Sequence, residues 1–264
     1  MNGGTHLSKR DHNRDAGVPV PSLDASFAMK LLPFVLSAVA GSVDIIGFLG
    51  LGGLFTAHIT GNVVVLAARF VVGDQALVAN LLAVPVFMIA LALTRLLVAG
   101  LERIGIVSLV PLLSLQFFLL AAFCVICVAA GPRIDPNTSS MIFAGMLGVS
   151  AMAVQNALVR VALTGAPSTA VMTTNVTAFT MDVGEVLLGR NPSRAAEAGD
   201  RARTTWPAIA GFIVGCAVGA ASESAFGLRS LVLPAGLALI AVALGGFGSL
   251  PHADTSHPAE RRAS

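Results

Sequence analysis

Four polar islands interrupt an otherwise apolar chain, and their residue types could do chemistry. Asp44 lies in LSAVAGSVDIIGFLG; TAHITGNV follows at 56–63, with His58, Thr60, Gly61 and Asn62. Gln155 and Asn156 lie in GVSAMAVQNALVR, and TAVMTTNV follows at 169–176, with Thr173 and Asn175. A carboxylate such as Asp44 could bind a cation or a proton, or cap nearby backbone. His58 is the one histidine outside the terminal segments, and an ordinary pKa of about 6.5 suits it to proton exchange or to a plain hydrogen bond. Asn, Gln and Thr carry both donors and acceptors, so they could hold a small polar solute or join two helices.

The islands repeat. Thr56, Ala57, Thr60, Asn62 and Val63 recur as Thr169, Ala170, Thr173, Asn175 and Val176 at a constant offset of 113. In each case an apolar run with a polar residue near its end comes first, then a short break, then the T-x-N segment, then two more apolar runs. Two halves, 27–130 and 141–250, joined by a linker at 131–140, account for the pattern. At the same offset Asp182 corresponds to Arg69, which makes an ion pair between them an expectation. Asp182 and Glu185 share a helix face, and charges near segment ends can instead reach the interface.

The elements that must position these residues are membrane helices. Of 264 residues, 55% are hydrophobic and 11% charged, against about 45–50% and about 25% in soluble proteins. Eight apolar runs, at 27–49, 53–72, 76–99, 106–130, 141–163, 168–188, 205–226 and 230–250, approach the roughly 20 residues that cross a bilayer. The second and sixth carry the T-x-N motifs and are the two that could be re-entrant. The expected fold is an all-α polytopic membrane protein of six to eight apolar segments in two homologous halves. Three crossings per half make the halves inverted; four make them parallel.

Residues 1–26 and 251–264, rich in charge, Pro, Gly and Ser, read as disordered tails. Lys and Arg favour the cytoplasmic side. With eight crossings and the N-terminus inside, only Arg95, Arg103, Arg160 and Arg229 of the sixteen basic residues fall outside. With segments two and six re-entrant, Arg69, Arg133 and Arg229 do. Both counts put both tails in the cytoplasm. Arg160 then needs an interface or a partner such as Asp44 or Glu223.

Several functions lose ground here. A net charge of +2 gives no reason to expect a nucleic-acid partner. Cys124, Cys127 and Cys216 sit in apolar runs and read as packing residues, so no metal is expected. No nucleophile with a suitably spaced base, and no nucleotide-binding loop, points to an enzyme or a cofactor. The head of the chain does not read as a cleavable signal. Gly211, Gly215 and Gly219 form a double G-x-x-x-G, suited to close helix packing and compatible with a homo-oligomer.

The runs AGSVDIIGFLGLGGLFTAHITGNVVVLA (40–67) and GVSAMAVQNALVRVALTGAPSTAVMTTNVT (148–177) resemble the two motifs of the YoaK-like family of bacterial inner-membrane proteins, described as a domain of unknown function. The resemblance covers roughly 28–250, and Asp44, Thr60, Gly61, Asn62, Gln155 and Asn156 match its motifs. It implies a polytopic, mostly six-helix protein of the inner membrane and supplies no substrate. The duplicated, interrupted segments point to a secondary transporter or permease for a small solute. Its site would be lined by Asp44, Thr60, Asn62, Gln155, Asn156, Thr173 and Asn175, with Asp44 or His58 coupling to protons or a cation. The rival is a membrane scaffold or regulator whose polar groups only hold helices together.

Overall fold

A computed structural model describes residues 27–73, 78–131 and 135–248. The expected tails at 1–26 and 251–264 lie outside the described residues. Regular structure among the described residues is helical: α1 Phe27–Gly50, α2 Ile59–Val72, α3 Val78–Arg103, α4 Leu109–Ala129, α5 Ser139–Ala162, α6 Met172–Leu188, α7 Pro192–Phe226 and α8 Val232–Gly248, with a 3-10 turn at Gly227–Leu231 between the last two. Five stretches are long and apolar enough to cross a membrane: Met29–Gly50, Val78–Arg103, Leu109–Ala129, Ser139–Ala162 and Pro192–Phe247. The last holds both α7 and α8, between which the chain reverses direction at Gly227, whose φ is +60°.

Local sequence explains the boundaries. Gly52 and Gly53 (φ +66° and +90°) end the run of α1, and Gly165 (φ +84°) follows α5; a side chain is disfavoured at such angles. Gly52 and Gly165 are 113 residues apart, as are the first residues of α2 and α6. Asn191 caps α7 by accepting from the Ser193 and Arg194 amides, with Pro192 at the first helical position, where its missing N–H costs nothing.

Side-chain neighbours give each helix its direction. A Cβ on Gly211, Gly215 or Gly219 would meet Phe34, Ala38 and Ser42 in turn, so α7 runs parallel to α1. Gly145 faces Leu51 and Leu54 while Gln155 bonds the Leu36 carbonyl, so α5 runs antiparallel to α1. Phe123 lies on Gly148 and Gln116 on Gln155, so α4 opposes α5. Gly245 meets Leu113 and Leu109, and Leu228 shares a cavity with Cys127, so α8 opposes α4. Asn80 at the start of α3 bonds Gly53, and Val98 near its end packs in one cluster with Met29 and Val159. The core divides accordingly. One cluster gathers Leu51, Leu54, Phe123, Met141 and Leu228 at the end where α1 finishes. The other gathers Met29, Leu32, Leu109, Leu158 and Ala162 where α1 begins.

The principal packing pairs, α1 with α7, α1 with α8, α2 with α3, α3 with α5, α4 with α5, α6 with α7 and α4 with α8, map onto themselves when the first four helices are exchanged for the last four. Since α1 and α5 run in opposite directions, the exchange inverts the molecule.

α8 also has 17 residues but is continued at its start by the 3-10 turn Gly227–Leu231; α2 and α6 are short without such an extension. At 14 and 17 residues they reach about 21 and 26 Å at 1.5 Å per residue, short of the roughly 30 Å hydrocarbon core. After Gly50 the chain turns back: Thr56 and Ala57 donate to the Asp44 carboxylate, six residues before the end of α1. α2 then runs outward again, with Val65 and Arg69 beside Gly53. The second half repeats the path from the opposite end. Thr169 returns to Gln155, and α6 runs outward until Asp182 meets Arg201 in the first, polar turns of α7. Both are hairpins that enter and leave at one end, not through-going helices.

Candidate functional site

The first hairpin is built on Asp44. Its Oδ1 accepts the amides of Thr56 (2.7 Å), Ala57 (2.7 Å) and His58 (3.3 Å), and its Oδ2 lies 2.7 Å from His58 Nδ1. The carboxylate is buried and takes up amide donors ahead of α2 that no backbone acceptor reaches, so one charge satisfies an entire turn of broken backbone. Asn62 closes the same loop: its Oδ1 accepts from the Phe55 amide at 2.9 Å, and its Nδ2 donates to the Phe55 carbonyl at 2.8 Å. Asn80 ties the hairpin to α3 through Asn62 and the Gly53 carbonyl, both at 2.9 Å. Arg69 donates to the Gly52 carbonyl at 2.8 Å.

The second hairpin uses the equivalent asparagine in the equivalent way. Asn175 Nδ2 donates to the Ser168 carbonyl, 113 residues on from the Phe55 carbonyl that Asn62 holds. Thr169, the counterpart of Thr56, accepts from Gln155 Nε2 at 2.8 Å; the same nitrogen donates to Leu36 O at 2.9 Å, and Gln155 Oε1 accepts from Gln116 at 2.6 Å. Among the described residues no carboxylate occupies the place of Asp44, so this hairpin tip is held by neutral groups: the amides of Gln155 and Asn175 and the Ser168 hydroxyl, which accepts from the Val171 amide at 3.0 Å.

The seven expected site residues divide between the two hairpins and their flanking helices. Asp44 and Asn62 sit in one hairpin, Gln155 and Asn175 in and beside the other, all buried. Thr60 and Thr173 are exposed on the outer faces of α2 and α6, because a helix places i and i+2 on different sides. Asn156 bonds back to the Met152 carbonyl of its own helix. The expected Arg69 to Asp182 pair is also corrected: Asp182 Oδ1 accepts from Arg201 Nη2 at 2.6 Å and Nε at 3.0 Å. Inversion is the reason, since residues equivalent under the repeat end up at opposite ends of the molecule. Arg160 reaches an exposed position at the last turn of α5.

Asn80, Gln116 and Arg201 were not singled out from the sequence. Asn80 and Gln116 carried a signal, being amides inside apolar runs. Arg201 carried none, since it lies among the charges of the 190–203 segment. Thr56 Oγ1 and Gln116 Oε1 are buried without a partner. The three cysteines are free thiols, and Cys216 Sγ lies 3.5 Å from the Gly41 carbonyl.

Among the described residues, cavities flank the core away from Asp44, Asn62, Gln155 and Asn175. One, of about 360 Å³, lies between the end of α4 and the turn at Gly227. Another, of about 490 Å³, lies at the opposite end between the Gly165–Pro167 loop, α6 and the polar turns of α7.

Fold and site together define an all-α, polytopic helical membrane protein with interrupted segments. The chain belongs to the DUF1275 family, proteins of unknown function, whose model matches residues 32–244 and which includes the YoaK-like proteins. No curated protein and no solved structure matches the chain.

Proposed function

We propose that this protein is a secondary permease for a small solute in the bacterial inner membrane. It crosses six times, with α2 and α6 re-entrant from opposite sides and both tails in the cytoplasm. That arrangement leaves only Arg69, Arg133 and Arg229 outside among sixteen basic residues, the stronger of the two basic-residue asymmetries. The observation that carries the reading is the pair of hairpins entering an inverted fold from opposite ends. Non-helical backbone at membrane depth is expensive and is tolerated where it is buried in protein or lines a water-filled cavity; paired interruptions of this kind in two inverted halves are the pattern of secondary transporters.

The polar islands act here as hinges and not as a solute cage. Protonating the Asp44 and His58 pair would weaken the bonds that hold hairpin one, which makes it the coupling element. Hairpin two, held by neutral groups, is the easier one to move. Supporting this division, Thr60 and Thr173 face outward and are left out of the proposed solute path.

The scaffold reading draws on one specific observation: Asp44, Asn62, Gln155 and Asn175 are all taken up by protein partners. Flux decides between the two. Purified protein in vesicles is offered a broad panel of labelled solutes, and a bismaleimide then tethers Met181→Cys on α6 to Thr205→Cys on α7. A permease gives saturable flux that the tether abolishes; flux equal to that of empty vesicles for every solute sinks the reading.

A further inference from the structure

The cavity between hairpin two and α7 combines features that select a ligand class. Its charged wall is an ion pair with spare capacity. Arg201 donates from Nε and Nη2 to Asp182 Oδ1, which leaves Asp182 Oδ2 as an acceptor and Arg201 Nη1 as a donor with no hydrogen bond among the described residues. Asp182 is largely buried, its side chain 12% exposed, whereas Arg201 is 59% exposed, so the carboxylate is fixed in the wall while the guanidinium faces the solvent side. Asp200, bonded to Arg203 at 3.4 Å, adds a second carboxylate and gives the lining a net negative charge. Ala166, Pro167 and Met181 supply an apolar wall, and Thr204 adds a hydroxyl. At about 490 Å³ the space holds a molecule of several heavy atoms and is smaller than many drug-sized sites.

We infer that this cavity binds a small zwitterion, an amino acid or a close analogue. Its ammonium sits on Asp182 Oδ2, its carboxylate on the Arg201 guanidinium, and its short side chain against Met181 and Pro167. A lone anion would meet two carboxylates, and a lone amine would leave Arg201 unused. The inference rests on the permease reading for its biological direction: the cavity borders the hairpin proposed to move, so the occupant is the solute on its cytoplasmic side.

Trp206 is the only tryptophan and the chain has no tyrosine, so its emission reports one step along α7 from the cavity wall. Full-length protein in detergent is titrated with glycine, L-alanine and β-alanine, and in parallel with ethylamine and propionate. Saturable change is expected with the zwitterions and not with either single-charge probe. Arg201→Gln and Asp182→Asn should weaken it about tenfold or more, the loss expected for one charge-assisted bond. Ala178→Leu, which narrows the cavity and keeps both charges, should abolish it, with circular dichroism verifying each fold; this keeps the test sharp if Asp182→Asn misfolds. Silence with all three zwitterions overturns the inference, as do variants that respond like the native chain or a single-charge probe that matches L-alanine. Binding without vesicle flux sinks the permease reading alone, and flux of other solutes without zwitterion binding sinks this inference alone.

Discussion

Asp44 shows how one side chain can carry a whole turn of backbone. Three amides and an imidazole converge on it, so its removal strands several buried donors at once. Asp44→Asn should cost about 1–3 kcal/mol, since a neutral amide replaces a charge-assisted acceptor, and Asp44→Ala more. Thermal unfolding in detergent measures it, and Thr60→Ala and Thr173→Ala, both exposed, should stay within about 0.5 kcal/mol of the native chain. Equal losses at Asp44 and Thr60 would mean that Asp44 is not the anchor. The asparagines give a matched pair. Asn62→Ala breaks bonds to both Phe55 groups and to Asn80, whereas Asn175→Ala breaks one to Ser168 O and a weak one to Met172 Sδ. The first should therefore destabilise more, by about 1 kcal/mol or above for the extra buried groups left unpaired.

The helix contact between α1 and α7 depends on absent side chains. Water does not drive helices together within a bilayer, so close packing must. A methyl on Gly215 would land on the Ala38 carbonyl oxygen, and one on Gly211 on that of Phe34; neither backbone can yield as a side chain would. Gly215→Ala is expected to cost about 1–3 kcal/mol, the range for overpacking, while Gly236→Ala, with open space around it, should be neutral or slightly stabilising. Unfolding midpoints of the two variants test this directly. The G-x-x-x-G spacing was readable beforehand as a packing stripe, but its partner was not, because the contacting α1 residues are 177 positions away in the chain and no local pattern names them.

For the molecule as a whole, inversion is the property with consequences. Val72 and Asn137 should lie on one side of the membrane, and Ile106 and Ala166 on the other with both tails. In a chain with Cys124, Cys127 and Cys216 replaced, Val72→Cys and Asn137→Cys should react with an impermeant maleimide on intact cells. Ile106→Cys and Ala166→Cys should react only after permeabilisation. Labelling of Ile106→Cys in intact cells would restore eight through-going crossings and remove the inverted repeat. Exchange of the halves also explains why equivalent charges do not pair: Arg69 and Asp182 are carried to opposite ends, where each finds a local partner in Gly52 O and Arg201.

The amino-acid sequence by itself determined the solvent, the helices and the repeat. Hydropathy is a sum over neighbours in the chain, and a 113-residue offset with asparagine in apolar surroundings needs no coordinates to be seen. Family membership also rested on those motifs. Tertiary structure alone decided that α2 and α6 turn back, since both six and eight crossings satisfied the basic-residue count. It also decided that Asp44 and Asn62 hold backbone, because a buried polar group signals only that it needs a partner and never which one. Arg201 became a partner of Asp182 only when α6 was laid against α7. A charge in a polar segment looks like any other until folding brings a buried carboxylate to it.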